Sequence, residues 1–200
     1  MKLHMESNRT EDYLKEIPPV IQFSSPLIQQ QIKSIESSAF TQMEKAKNAF
    51  ELVRDKISHS FDTHSKTVTI SADETLKTGE GICFAKAHLL ASLLRGMGIP
   101  AGFCYQRVLR KGTVDSGYAL HGLNAAYIDG KWFRIDPSGN KPGVDSQFSV
   151  DVEKLAYPIR EHLGEVDYPD VLVAPLPSVI TAMRESKDCQ ELFFKRPEAL

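Results

Sequence analysis

The chain has 200 residues, with 24 Lys and Arg against 26 Asp and Glu and a net charge of -2. Its 42% hydrophobic and 25% charged residues fit a globular domain that buries a substantial core, so disorder is not the default. The basic residues are scattered, which argues against a nucleic-acid surface. No stretch approaches the ~18 apolar residues of a membrane span, and the first residues hold no apolar signal segment. Three cysteines at wide spacing, with no CxxC pair, suit neither a disulfide framework nor a zinc ribbon, so reduced thiols in a cytoplasm are expected.

Residues 1 to about 12 are polar and expected to fray. Tyr13 to Phe23, with Pro18-Pro19, reads as an extended segment. Ser24-Ser25-Pro26 is a helix start, with a serine cap and proline in the first turn, and Ile28, Ile32 and Ile35 share one face of the short helix that follows. A second helix spans Phe40 to Ile57, its apolar positions Phe40, Met43, Ala46, Phe50, Val53 and Ile57 falling at steps of three and four. Ser58 to Ile70 reads as a loop; the spacing of His59 and His64 fits no helical metal pair, and both are treated mainly as loop residues, with a substrate-facing role as the alternative. Ser71 to Glu74 is a capping box.

Gly79 to Pro100 organises the chain. Ala87, Leu90, Ala91 and Leu94 recur at helical spacing after Cys83, and Gly96 stands where a left-handed cap is common. Cys83 therefore starts a buried helix, where free N–H groups and the positive end of the helix dipole favour a thiolate. Cys104 and Cys189 read as buried, inert hydrophobes. His88, five residues after Cys83, reads as a core histidine. Ala101 to Leu109, Tyr118 to Ile128 and Lys131 to Asp136 read as strands, with Asp129-Gly130 a two-residue hairpin turn. Phe148 to Val152 and Val171 to Ala174 are candidate edge strands, Ser178 to Lys187 a candidate helix. The layout is α+β: N-terminal helices, a catalytic helix and an antiparallel sheet. We divide the chain into an N-terminal extension (1–23), a core domain (24–150) and a C-terminal segment packed on it (151–200).

A thiolate nucleophile needs a base, and the base an orienting group. With Asp129-Gly130 as the turn, paired residues sum to 259, which makes His121 and Asp136 diagonal neighbours at roughly 7–8 Å, within reach of each other's side chains. Cys83, His121 and Asp136 are thus the candidate nucleophile, base and third member, with the Cys83 N–H a candidate oxyanion donor. A zinc site built on the same three residues would leave no separate base and ranks last.

Gly79-Glu80-Gly81-Ile82-Cys83, the Leu93-Leu94-Arg95-Gly96-Met97-Gly98-Ile99-Pro100 run, His121-Gly122, and Asp129-Gly130-Lys131-Trp132 through Asp136-Pro137 together resemble the transglutaminase-like superfamily of papain-type cysteine enzymes. The resemblance covers residues 40 to 140 and implies the papain-like core and the Cys83, His121, Asp136 triad. It departs after the histidine: the family often carries an aromatic residue there, and this chain has Gly122-Leu123-Asn124. The calcium of animal members is not carried over, since no Asp-rich loop is present; no cofactor or metal is expected. The expected activity is cleavage of a peptide or amide substrate through a thioester, by hydrolysis or by transfer to an amine. The alternative is a non-catalytic binding module that keeps the fold. Neither a nucleic-acid nor a membrane partner is expected, and the sequence does not specify an oligomeric state.

Overall fold

One helix is buried along nearly its whole length, and the rest of the chain is layered around it. The computed structural model describes residues 1–200. Its helices are α1 (Pro26–Glu36), α2 (Gln42–Lys56), α3 (Ala72–Thr78), α4 (Cys83–Gly96), α5 (Pro177–Glu185) and α6 (Cys189–Lys195). Its strands are β1 (His4–Met5), β2 (Ser58–His59), β3 (Glu80–Gly81), β4 (Ala101–Leu109), β5 (Tyr118–Ile128), β6 (Lys131–Ile135), β7 (Val166–Asp167) and β8 (Asp170–Val171). The main sheet is antiparallel in the order β6-β5-β4-β7, and β1-β8 and β2-β3 are short parallel pairs. No helix is long and apolar enough to cross a membrane.

Every residue of α4 from Cys83 to Arg95 is buried. The helix packs on β4 and β5 and is covered by α1, α2 and α3, so it is buried on all sides rather than along one stripe. Its polar side chains bind carbonyls of the layers around it. Lys86 Nζ donates to the carbonyls of Ile57 (2.6 Å) and Arg54 (3.3 Å) at the end of α2. His88 Nδ1 donates to Ile70 O at 2.7 Å, and burial holds its pKa down to about 4, so the ring is neutral. Arg95 donates to the carbonyls of Lys15, Ala101 and Val173. From the sheet, Asn124 Nδ2 donates to Ala87 O and Gly102 O. Buried polar groups without such partners would be costly.

The local signals at the helix starts hold. Ser25 accepts from Ile28 N, and Thr41 and Ser71 each close a capping box, with Glu44 and Glu74. Four expectations are corrected. Phe40 is 85% exposed, because Thr41 takes the cap and leaves Phe40 outside the helix. The left-handed residue after α4 is Gly98 (φ 74°); Gly96 is the last helical residue, and a Cβ there would collide with Ile32 and Phe23. The N-terminal residues are tied down rather than frayed: β1 pairs with β8, Tyr13 is fully buried, and its hydroxyl donates to Val171 O at 3.1 Å. Their partners lie over 150 residues away in sequence, beyond any local signal. Phe148 to Val152 forms no strand, and the second candidate shrinks to Asp170–Val171, with Leu172 bridged to Phe103. Side chains hold this region instead: Phe148 packs on Phe50, and Arg134 binds Glu153 and Asp167.

The hairpin has the expected register, Ile128 opposite Lys131 and Asn124 opposite Ile135. Asp129 (φ 50°) and Gly130 (φ 82°) both take the left-handed conformation that a type I′ turn demands. The ladder ends at Ile135, so Asp136 and Ser138 leave it.

Gly122 explains the missing side chain after His121. A Cβ there would lie 2.6 Å from Phe84 Cδ1, so β5 approaches α4 as closely as it does only because this residue has none. Gly122→Ala is expected to cost about 1–3 kcal/mol through overpacking. Urea denaturation would show it as a lower midpoint with an unchanged slope; an unchanged midpoint would mean that Phe84 simply moves aside.

Candidate active site

Three separate elements deliver Cys83, His121 and Asp136 to one place. Cys83 is the first residue of α4, so its own N–H lies in the unpaired first turn. His121 lies within β5, opposite Gln106 of β4. Asp136 follows β6 directly. The diagonal offset across the hairpin is closed by the side chains: His121 Nε2 lies 2.8 Å from Asp136 Oδ2.

The Asp136 carboxylate is fully buried and saturated. Oδ1 accepts from Ser138 N (3.1 Å) and Ser138 Oγ (2.6 Å), and Oδ2 accepts from Ala156 N (3.0 Å) and His121. Burial alone would raise its pKa; the His121 charge and these hydrogen bonds hold it below the usual carboxylate range. With Nε2 engaged by Asp136, His121 presents Nδ1 to the thiol. Burial disfavours an imidazolium, but Asp136 on one side and Cys83 on the other outweigh it and raise the His121 pKa to about 10. Tyr157 packs edge-on against the ring, with centroids 4.8 Å apart.

Cys83 is 2% exposed. Burial pushes its thiol up, yet hydrogen bonds and charge from His121 and His59 bring the pKa down to about 5. Cys104 is the contrast: equally buried, without such partners, it is pushed up to about 12. Burial also raises Cys189, whose thiol donates to Thr67 O at 3.0 Å. Both shifts run in the direction that favours a thiolate beside an imidazolium over the neutral pair.

His59, read from sequence mainly as a loop residue with a substrate-facing role as the alternative, lies in the cavity with Cys83. β2 pairs with β3 through Ser58–Glu80 and His59–Gly81, and this sets His59 beside the start of α4. Its Nδ1 accepts from Phe61 N at 3.4 Å, so Nε2 carries the proton and is the donor toward Cys83. Two-residue strands carry no periodic signal, and the His59–His64 spacing pointed to neither pairing nor proximity. His64 lines a neighbouring cavity with Ser60 and Phe61, away from Cys83. Tyr157, from the irregular stretch after β6, was equally invisible. A cavity of about 460 Å³ opens over the site, lined by His59, Cys83, His121, Tyr157 and Arg196 among others. No three His, Cys, Asp or Glu side chains converge on a point that could hold a metal ion.

In fold, the chain is similar to a candidate cysteine protease from Cytophaga hutchinsonii, at 18% identity and a TM-score of 0.53, over 66% of this chain and 43% of that one. It also matches a TGase at 18% identity and a TM-score of 0.47, over 73% of this chain and 42% of that one. The periplasmic domain of TgpA from Pseudomonas aeruginosa matches at 15% identity and a TM-score of 0.44, over 64% and 46%. The chain spans less than half the length of each. No curated protein matches it in sequence. Residues 29–137, which include Cys83, His121 and Asp136, match the family model of the transglutaminase-like superfamily.

A thiol that ionises near pH 5 stays a thiolate above that pH and loses the charge below it. Iodoacetamide labelling of Cys83 is therefore expected to keep its rate down to about pH 5, while Cys104 and Cys189 stay unlabelled in the folded protein. In Asp136→Asn the imidazolium loses its counter-charge, and the profile should move up by about one pH unit or more. A wild-type profile that turns over at about pH 8.5, as for a free thiol, would contradict the ion pair.

Proposed function

This chain belongs to the transglutaminase-like superfamily, and from that premise we propose that it is a cysteine-nucleophile enzyme acting on amide bonds through a thioester. The observation that carries the reading is the buried hydrogen-bonded line from Asp136 through His121 to an acidic Cys83 thiol.

In this reading the Cys83 sulfur attacks the amide carbonyl carbon, forming the C–S bond and moving charge onto the oxygen. The Cys83 N–H and His59 Nε2–H are the two donors to that oxyanion. His59 is suited to the task because the Phe61 N–H fixes its tautomer with the proton on the cavity side. Collapse breaks the C–N bond, and the amine leaves with the proton of His121 Nδ1. Water then attacks the thioester, giving its proton to His121; the C–S bond breaks and the acid leaves with the thiolate restored. Asp136 keeps the ring oriented and supports its charge throughout. We favour water over an amine as acceptor, hence a peptidase or amidase. Three unpaired cysteines suit a reducing compartment such as the cytoplasm.

Incubation with p-nitrophenyl acetate and a panel of peptide amides, read by intact mass, is expected to show an acyl adduct on Cys83 that Cys83→Ala lacks. His121→Ala should lower kcat/KM by on the order of a thousandfold. Added primary amine then partitions the thioester between acid and amide products. A thiol that alkylates rapidly at low pH but takes no acyl group from any donor would sink the reading.

A further inference from the structure

The cavity over Cys83 carries more positive charge than its own acids neutralise. At about 460 Å³ it has room for a dipeptide-sized group. Its lining includes Arg110, Lys111, Lys141, Arg160 and Arg196 against Asp62 and Glu165. Both acids are already engaged, Asp62 by Lys141 at 2.6 Å and Glu165 by Arg160 at 2.6 Å. Arg110 donates to the carbonyls of Phe193 and Tyr118 and lies 3.6 Å from Glu198, outside the lining.

Arg196 has no carboxylate partner; the negative charge acting on it is that of Cys83. It is 9% exposed, and its guanidinium lies 5.0 Å and 4.9 Å from the ring centroids of Phe61 and Phe193. The two rings hold the charged plane and leave its N–H edge free. Nε reaches only the Phe193 carbonyl, at 3.4 Å, and the two terminal nitrogens find no acceptor in the protein. The terminal nitrogens open onto the cavity, where a carboxylate can take the place of water at a fixed cation. The position is also fixed. The Arg196 N–H closes α6 on Leu192 O, and the next carbonyl, Pro197 O, accepts from the N–H of Leu120 at 2.7 Å, beside His121. The strand that carries the base therefore also anchors the unpaired guanidinium.

We infer that the acyl donor is an anionic amide whose carboxylate, close to the scissile bond, pairs with the Arg196 fork while its carbonyl lies at Cys83. The inference rests on the reading of Cys83 as nucleophile. A planar fork with two free N–H groups matches a carboxylate in shape as well as charge.

Iodoacetate and iodoacetamide differ in just this group and report on the same sulfur. At Cys83 of the wild type, the iodoacetate to iodoacetamide rate ratio should exceed that of free cysteine by about tenfold, the worth of one charge-assisted contact. Arg196→Gln should remove that excess while changing the iodoacetamide rate less than about threefold. Arg196→Lys, which keeps the charge but loses the fork, should retain part of it. A wild-type ratio no higher than that of free cysteine would overturn the inference without any variant. Equal slowing of both reagents in Arg196→Gln would also overturn it, because Arg196 would then serve only the thiolate. Failure of Cys83 to outpace Cys104 with either reagent would remove the nucleophile reading and this inference together. Two dipeptides separate the sources of the carboxylate: N-acetyl-alanyl-glutamate amide offers a side-chain group and N-acetyl-alanyl-glutamine free acid a terminal one. Whichever slows iodoacetate labelling at the lower concentration names the source. Neither surpassing the neutral N-acetyl-alanyl-glutamine amide would overturn the inference.

Discussion

A carboxylate with no access to water governs this molecule. Asp136 is fully buried, and its charge is tolerated only because Ser138, Ala156 and His121 together fill both oxygens. Each donor sits on a different kind of structure: a strand, the turn that ends β6, and the irregular chain far beyond it. The loop from Ser146 onward is fastened by the same residue, since Ser146 Oγ donates to the Asp136 carbonyl. The carboxylate thus fixes the imidazole, the imidazole holds a charge, and that charge keeps a buried sulfur ionised. Remove the first and the other two are weakened, with His59 left as the remaining support of the sulfur.

The scaffold answers the same demand from the other side. A thiolate at a helix start can be poised only if the helix does not move, and α4 is held by contacts on every face. Its polar residues act as struts. Lys86 reaches the end of α2, His88 the segment before α3, and Arg95 both β4 and the N-terminal segment. Gly81 serves the same end: a Cβ there would lie 2.9 Å from Ala85, so only glycine lets β3 run this tightly into α4.

Much of this is legible in the chain, and the reason is distance along it. The hairpin register follows from Asp129-Gly130, and with it the meeting of His121 and Asp136, because a two-residue turn dictates every pair above it. The Cys83 helix is legible from periodicity, the capping boxes from residues three apart. His59, Tyr157 and Arg196 are not legible: they reach the site through β2–β3 pairing, a loop without repeat and a short terminal helix. The same blindness made Phe40 look like core and the N-terminal residues look loose. Short-range rules see what neighbours in sequence impose, and the cavity walls are imposed by neighbours in space.

The cysteines are also solitary: Cys104 belongs to the cluster around Tyr13, Cys189 is bound to the Thr67 carbonyl, and no two are joined. That isolation bears on oxidative chemistry. A thiolate is the form that peroxide attacks, and the sulfenic acid it yields is commonly rescued by a neighbouring thiol that forms a disulfide. Cys83 has the acidity that invites the first step and no partner for the second. Its recovery depends on a small thiol that can enter the cavity; without one, a second peroxide oxidises the sulfenic acid to the sulfinic state, which no thiol reverses.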